Sequence, residues 1–439
     1  MLNFSVDRAA WPAAAAQQRV ALVTGSYDRV VDGVALTLNR LVAHLLRQGH
    51  EVLVLAPRTP RQPVLHHAGA AVHHVFSLPL PIWSEYRLTF GLGRQGLARL
   101  SAFRPTVLHI AVQDALGHAV QRWGRQNGVA SICSHHTRYE RYLQFYHLPV
   151  NPLEAAYWWG MRRFHAHCAL TFPPSASLAA LLRAKGVERV RVWPRGVDRD
   201  LFDPSSRSKE WRESIGEPGS GTPIVLLVAR LRWEKGLSDF AAVIHELETL
   251  GVPHRVAIVG NGPARSALQR RLPKATFLGT LTSTPLAVAY ASSDVFLYPS
   301  TTEGWGATCL EAQASGVPVV ATTSPGIVDV VDAGRSGILT APNDVTAMAD
   351  AVRLLLSDAT IRRQMGRHAV WHAARFDWSV SSDLILSAYK EIAPPAVGAG
   401  DDIRPPPTVL DRIINWYSPM RASNMPSNMT SSNSFISRV

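Results

Sequence analysis

Cysteine is scarce in this sequence: Cys133, Cys168 and Cys309 are the only three among 439 residues. Three thiols so widely spaced suggest neither a disulfide framework nor a zinc site, and point to a reducing compartment. Long apolar runs are also missing, and none reaches the roughly 20 residues that cross a bilayer. The stretch Met1 to Arg19 contains Ala13 to Ala16 but has no basic front and no apolar core, so no signal peptide is read there. Without that signal, the triplets Asn3-Phe4-Ser5 and Asn428-Met429-Thr430 carry little weight as glycosylation sites. The expected location is cytoplasmic. No recognition helix, zinc-finger spacing or stacked aromatic motif points to nucleic acid, so no nucleic-acid partner is expected.

What is present begins with charge. The formal net charge is +12. Residues 1–200 hold 23 Lys+Arg against 11 Asp+Glu, and residues 201–439 hold 22 against 22, so the excess lies in the first half. A basic half favours an anionic partner: a phosphate-bearing acceptor, or peripheral contact with the cytosolic face of a membrane. A plain solubility charge would produce the same count.

Read in order, the chain twice sets out strand, loop, helix and strand. Arg19 to Thr24 is a strand, followed by a loop with Gly25, Asp28, Asp32 and Gly33 and then a helical pattern from Val34 to Leu46. Glu51 to Ala56 is the next strand, with further strands at Val72 to Leu78, Thr106 to Ile110, Ala130 to Ser134, Ala169 to Phe172 and Val190 to Trp193. Pro79 to Arg87 is an aromatic, proline-bearing loop suited to an acceptor or to covering a sheet edge. His135 and His136 follow a strand end, where open α/β sheets bind ligands. Two adjacent residues of a strand point to opposite faces, so they do not chelate one metal together. His136 is favoured for the site, with His135 open as the alternative.

The pattern restarts at Pro223 to Ala229, followed by the loop Arg230-Leu231-Arg232-Trp233-Glu234-Lys235-Gly236. Arg230 and Lys235 sit at a strand end, where cations would neutralise a diphosphate. A tight turn at Gly260 to Pro263 and a strand end at Phe277 to Leu281 come next. The most informative stretch is Ser300 to Val320, which places Glu303 in a glycine-bearing loop and Glu311 about two turns into a short helix. That arrangement aims backbone N–H groups at an anion and two carboxylates at a ligand rich in hydroxyls.

The expected organisation is an extension over 1–18, a first Rossmann-like acceptor domain over 19–202 and a linker over 203–222. A nucleotide-sugar domain over 223–375, a terminal helix over 376–393 and a flexible tail over 394–439 complete it. The fold class is α/β, two doubly wound halves facing an interdomain cleft.

This layout resembles the GT-B glycosyltransferases. Glu303-x7-Glu311 in EGWG…LEAQASGVPVV, with Arg230, Lys235 and Gly236, is similar to the retaining family 4 group. VGNGP, PRGVD at 194–198, the DGV helix start at 32–34 and HHTRYERYL at 135–143 add to it. The DGV start, the PLPIWSEYR loop and the HHTR segment are most similar to the mannosyltransferase and sulfoquinovosyltransferase-like subgroup. The resemblance implies hexose transfer from a nucleotide diphosphate sugar, GDP-mannose ahead of UDP-glucose, to a lipid, small-molecule or secondary-metabolite hydroxyl.

It further implies that Arg230 and Lys235 bind the diphosphate, Glu311 the ribose and Glu303 the hexose. Gly304, Trp305 and Gly306 would lie beside the donor, His136 by the reacting carbon and Gly33 near phosphate or acceptor. Gly262 and Leu281 belong to the same expected nucleotide-sugar set. No cofactor and no metal are expected. Departures from the usual pattern are Trp305, Gln313 and Asp32. A Rossmann-type oxidoreductase, whose G-x-G-x-x-G is not met by the glycines of the first βαβ loop, and a non-catalytic binding protein are the competing readings.

Overall fold

A computed structural model describes residues 17–27, 32–59, 68–79, 87–136, 150–216 and 221–393. The 1–16 part of the extension, Asp28, most of the 79–87 loop, Thr137 to Leu143 and the 394–439 tail lie outside the described residues.

The described chain forms two parallel six-stranded sheets. The first contains β1 (Arg19–Val23), β2 (Glu51–Pro57), β3 (Ala71–Val75), β6 (Val107–Ile110), β7 (Ser131–Ser134) and β8 (Leu170–Phe172). Their order is β3-β2-β1-β6-β7-β8. The second contains β9 (Ile224–Val228), β10 (Arg255–Val259), β11 (Thr276–Gly279), β12 (Val295–Tyr298), β13 (Val319–Thr322) and β14 (Gly337–Thr340), in the order β11-β10-β9-β12-β13-β14. The central strands are continuous Val/Leu/Ile runs because helices cover both sheet faces. Val20 to Val23 and Val225 to Leu227 are fully buried or nearly so. In each sheet the strand order reverses between two central strands, β1 and β6 or β9 and β12. Loops leaving the C-terminal ends of such strands diverge and open a crevice. That topology positions the site.

Three local expectations change. The run from Val72 divides after Val75; β4 (Ser77–Pro79) leaves the sheet and pairs antiparallel with β5 (Arg87–Thr89). Val190 to Trp193 is not a strand but a single bridge, Thr171↔Val190. It borders Pro173 and Pro174, which have no N–H to continue a ladder. Within residues 203–222 the chain forms a helix, Lys209–Ile215, held by Arg207 and Arg212 on the buried carboxylate of Asp294.

The last helix, Trp378–Ile392, leaves the second sheet and packs on the first. Tyr389 Oη meets His109 Nδ1 of β6 at 2.6 Å, Trp193 Nε1 donates to Ser381 O at 3.1 Å, and His44 Nε2 meets Asp383 Oδ1 at 2.7 Å. The chain therefore crosses between the two sheets a second time near its end.

Candidate active site

A cavity of about 790 Å³ is lined by loops from both sheets. From the first sheet come Gly25, Ser26, Asp32 and Gly33 after β1, Ala111 to Gln113 after β6, and His136 after β7. From the second come Ala229, Arg230 and Lys235 after β9, Gly260 and Asn261 after β10, Thr280 and Leu281 after β11, and Thr302 to Thr308 with Glu311 after β12.

On the first rim, Asp32 caps the helix Gly33–Arg47, accepting from Val34 N at 2.9 Å and Ala35 N at 2.8 Å. Arg195 reaches the same point. Its Nη1 donates to Gly33 O at 3.3 Å and its Nη2 lies 3.0 Å from His136 Nδ1. A guanidinium only donates, so His136 Nδ1 accepts and the ring carries its proton on Nε2. That Nε2 has no hydrogen-bond partner among the described residues. Burial, followed by the positive charge of Arg195, holds His136 well below the usual histidine range, so the ring is neutral. Burial also brings Arg195 down to about 10, against the pull of Asp32 and Glu303. His135 is buried 5.7 Å from the His165 ring and does not line the cavity, which decides between the two histidines as to position.

On the opposite rim, Glu303 Oε1 accepts from Lys235 Nζ at 2.7 Å, Tyr298 Oη at 2.7 Å and Ser300 Oγ at 2.9 Å. Burial raises the Glu303 pKa, but the charge of Lys235 and the hydrogen bonds from Lys235, Tyr298 and Ser300 outweigh it and keep the carboxylate ionised. Gly236 makes this pairing possible: its φ is +73°, and a Cβ would stand 2.3 Å from Pro299 O. Tyr290 Oη donates to Glu311 Oε2 at 2.9 Å, while burial raises Glu311 to about 7. The helix Ala307–Ala314 starts at Gly306 without a side-chain cap, so its first N–H groups remain for a ligand.

The rims touch. A Cβ on Gly304 would stand 3.1 Å from His136 O. Asp329 accepts from Ala176 N at 2.8 Å and from Ser177 Oγ, so a second-sheet loop caps a first-sheet helix. Trp305 lines the cavity with its indole edge-on to Phe376 at 5.6 Å. Of the expected set, the structure gathers Gly33, His136, Arg230, Lys235, Leu281, Glu303, Gly304, Trp305, Gly306 and Glu311. Gly262 is placed differently from the rest. It lies outside the lining because its backbone is pressed onto Leu231, where a Cβ would stand 2.5 Å from Leu231 O; Gly260 and Asn261 line the cavity instead.

Arg195 was not singled out from sequence, although PRGVD marked its position; one arginine among many carries no sign of burial. All three cysteines are buried and unbridged. Cys133 and Cys168 come together with His165, and a second cluster joins Asp332, His368 and His372. Neither cluster lines the cavity. Among the described residues no helix is long and apolar enough to cross a membrane.

Comparison with known proteins agrees with this geometry. Residues 31–201 match the Glycosyltransferase Family 4 signature and residues 222–358 match Glycosyl transferases group 1. A GDP-mannose-dependent alpha-mannosyltransferase of Mycolicibacterium smegmatis is 36% identical, over 85% of this chain and 97% of that protein. Sulfoquinovosyl transferase SQD2 of Arabidopsis thaliana is 30% identical, over 84% of this chain and 72% of that protein. Sucrose-phosphate synthase from Thermosynechococcus elongatus superposes with a TM-score of 0.70 at 20% identity, covering 85% of this chain and 99% of that one, and shares the fold. The chain is a nucleotide-sugar-dependent glycosyltransferase of GT-B fold, and it belongs to glycosyltransferase family 4.

Proposed function

We propose that the protein transfers mannose from GDP-mannose to a hydroxyl acceptor with retention of anomeric configuration. The observation carrying this reading is the Lys235–Glu303 pair facing His136 and Arg195 across one cavity. The name of the 36%-identical relative favours GDP-mannose as donor.

The C1–oxygen bond to the diphosphate breaks as the acceptor oxygen bonds to C1 on the same face. The bonding pair leaves on the diphosphate, which also takes the acceptor proton. Negative charge therefore builds at the leaving group. Arg230, Lys235 and the uncapped N-terminus of Ala307–Ala314 meet that charge with fixed donors. Glu303, held through Oε1, accepts from hexose hydroxyls, and Glu311 accepts from the ribose. His136 offers Nε2–H to the sugar beside the reacting carbon. No enzymatic nucleophile, metal or cofactor takes part in this proposal.

A lipid-borne acceptor suits the first half. Phe76, Leu78, Leu88 and Phe90 are exposed on the β4–β5 ribbon, with Leu78 directly opposite Leu88. Peripheral contact with a membrane would cover that apolar face.

Purified protein should be stabilised against heat by GDP and GDP-mannose more than by UDP or UDP-glucose. NMR of the product should show the donor's anomeric configuration. Stabilisation by UDP alone, or an inverted product, would defeat the reading.

A further inference from the structure

Beneath the first sheet lies a cluster that the transfer reaction does not use. Cys133 of β7, His165 at the end of the helix Val150–His165, and Cys168 before β8 place one sulfur, one ring nitrogen and one sulfur within 4.8 Å of one another. All three are buried, at 0%, 2% and 1% exposure.

Each sulfur is met by a side-chain amide. Gln113 Nε2 donates to Cys133 Sγ at 3.0 Å and Gln121 Nε2 donates to Cys168 Sγ at 3.2 Å, so each sulfur receives an amide N–H. His165 Nδ1 is engaged by Thr171 Oγ1 at 2.9 Å. Its Nε2 is buried with no hydrogen-bond partner among the described residues. An imidazole held through one nitrogen presents the other to a metal. His135, two residues beyond Cys133, has its ring 5.7 Å from that of His165.

We propose that Cys133, His165 and Cys168 bind a zinc ion, with His135 as the fourth ligand. The pattern is Cys-x-His on a strand end and His-x2-Cys on a helix end, a Cys₂His₂ donor set. Bond lengths of about 2.0–2.3 Å put tetrahedral ligand atoms roughly 3.5–3.8 Å apart, so the cluster closes inward by about 1 Å on loading. Two thiolates offset the charge of the dication, and a neutral complex suits a buried position. The ion would fasten the end of β7, the strand that runs into His136. It is separate from the transfer chemistry and does not depend on the donor assigned above.

The test uses the full chain, freed of any affinity tag and purified under thiol reductant without chelator. Metal content should be close to one zinc per chain. Protein grown in cobalt-supplemented medium should show thiolate-to-cobalt charge transfer and the intense visible bands of tetrahedral Co²⁺. Cys133→Ser and Cys168→Ser should lose the metal, while Cys309→Ser keeps it. If the serine variants do not fold, the wild-type metal content and cobalt spectrum decide. Wild-type protein without stoichiometric metal in either medium overturns the proposal, whether or not its two buried thiols then form a disulfide with glutathione disulfide. Metal retained by Cys133→Ser overturns it as well.

Discussion

The guanidinium of Arg195 donates to Nδ1 of His136 at 3.0 Å, and this fixes the imidazole as a neutral donor rather than a base. His136 should therefore contribute by hydrogen bonding to the sugar, not by taking a proton. Arg195→Gln and His136→Ala should each lower kcat/KM by about 10²-fold, the usual effect of removing a preorganised donor. The wild-type kcat/KM profile should lack a limb near the ordinary histidine value. A limb there that vanishes in His136→Ala would contradict the assignment.

Lys235 and Glu303 act as a unit, since Lys235 Nζ orients Glu303 through Oε1 at 2.7 Å. Lys235→Ala and Glu303→Ala should each cost on the order of 10²-fold or more in kcat/KM. The double variant should be little worse than either single one. Fully additive losses in a double-mutant cycle would mean that the two residues contribute separately.

Glu311 is a buried carboxylate that titrates close to neutral pH. Its pKa of about 7, raised by burial, leaves it mostly protonated at pH 6 and mostly ionised at pH 8. If the carboxylate holds the ribose, GDP affinity should rise by up to roughly tenfold between those pH values. Glu311→Gln should flatten that rise. The folded pKa lies above the unfolded value, so the same group makes the empty protein lose stability as pH rises from about 4.5 to 7. Calorimetric titration at several pH values reads the affinity, and urea unfolding reads the stability.

His109 is fully buried between Tyr389 and Ser134, with its pKa lowered by burial to about 3. The unfolded chain gains a proton near pH 6.5 while the folded ring stays neutral. Stability should therefore fall as pH drops from 6.5 towards 3, by about 1.4 kcal/mol per pH unit for this one group. His109→Gln should reduce the slope by one proton. An unchanged slope in urea unfolding at pH 5–6.5 would place the titration elsewhere.

Gly326 has φ +83°, and a Cβ there would stand 2.6 Å from Trp305 N. Gly326→Ala should push the Gly304–Gly306 loop from its place and cost on the order of 1–3 kcal/mol in stability. Donor KM should rise with it. A fully stable variant with unchanged KM would show that the loop tolerates the shift.

Much of this was legible in sequence because local rules and global fold agreed. Apolar runs ending in glycine loops marked the strand ends, and EGWG with Glu311 marked the rim. Other features were invisible because they depend on distant packing. Period-two alternation separates His135 from His136 but does not say which faces the cleft. Gly262 stands in a glycine turn, and only its contact with Leu231 shows that it packs rather than lines. Cys133 and Cys168 looked dispersed because parallel neighbours β7 and β8 are joined by a long crossover. Val190 to Trp193 had strand composition, but Pro173 beside it has no N–H to donate back and extend the ladder.

The return of Trp378–Ile392 to the first sheet has a consequence for biosynthesis. A ribosome releases the N-terminal half long before it makes Tyr389, so the pocket around His109 stays unsealed until the helix Trp378–Ile392 has emerged. The two halves therefore cannot mature as independent beads on a string. A nascent chain stalled before residue 378 would hold an unfinished first lobe exposed to chaperones and proteases.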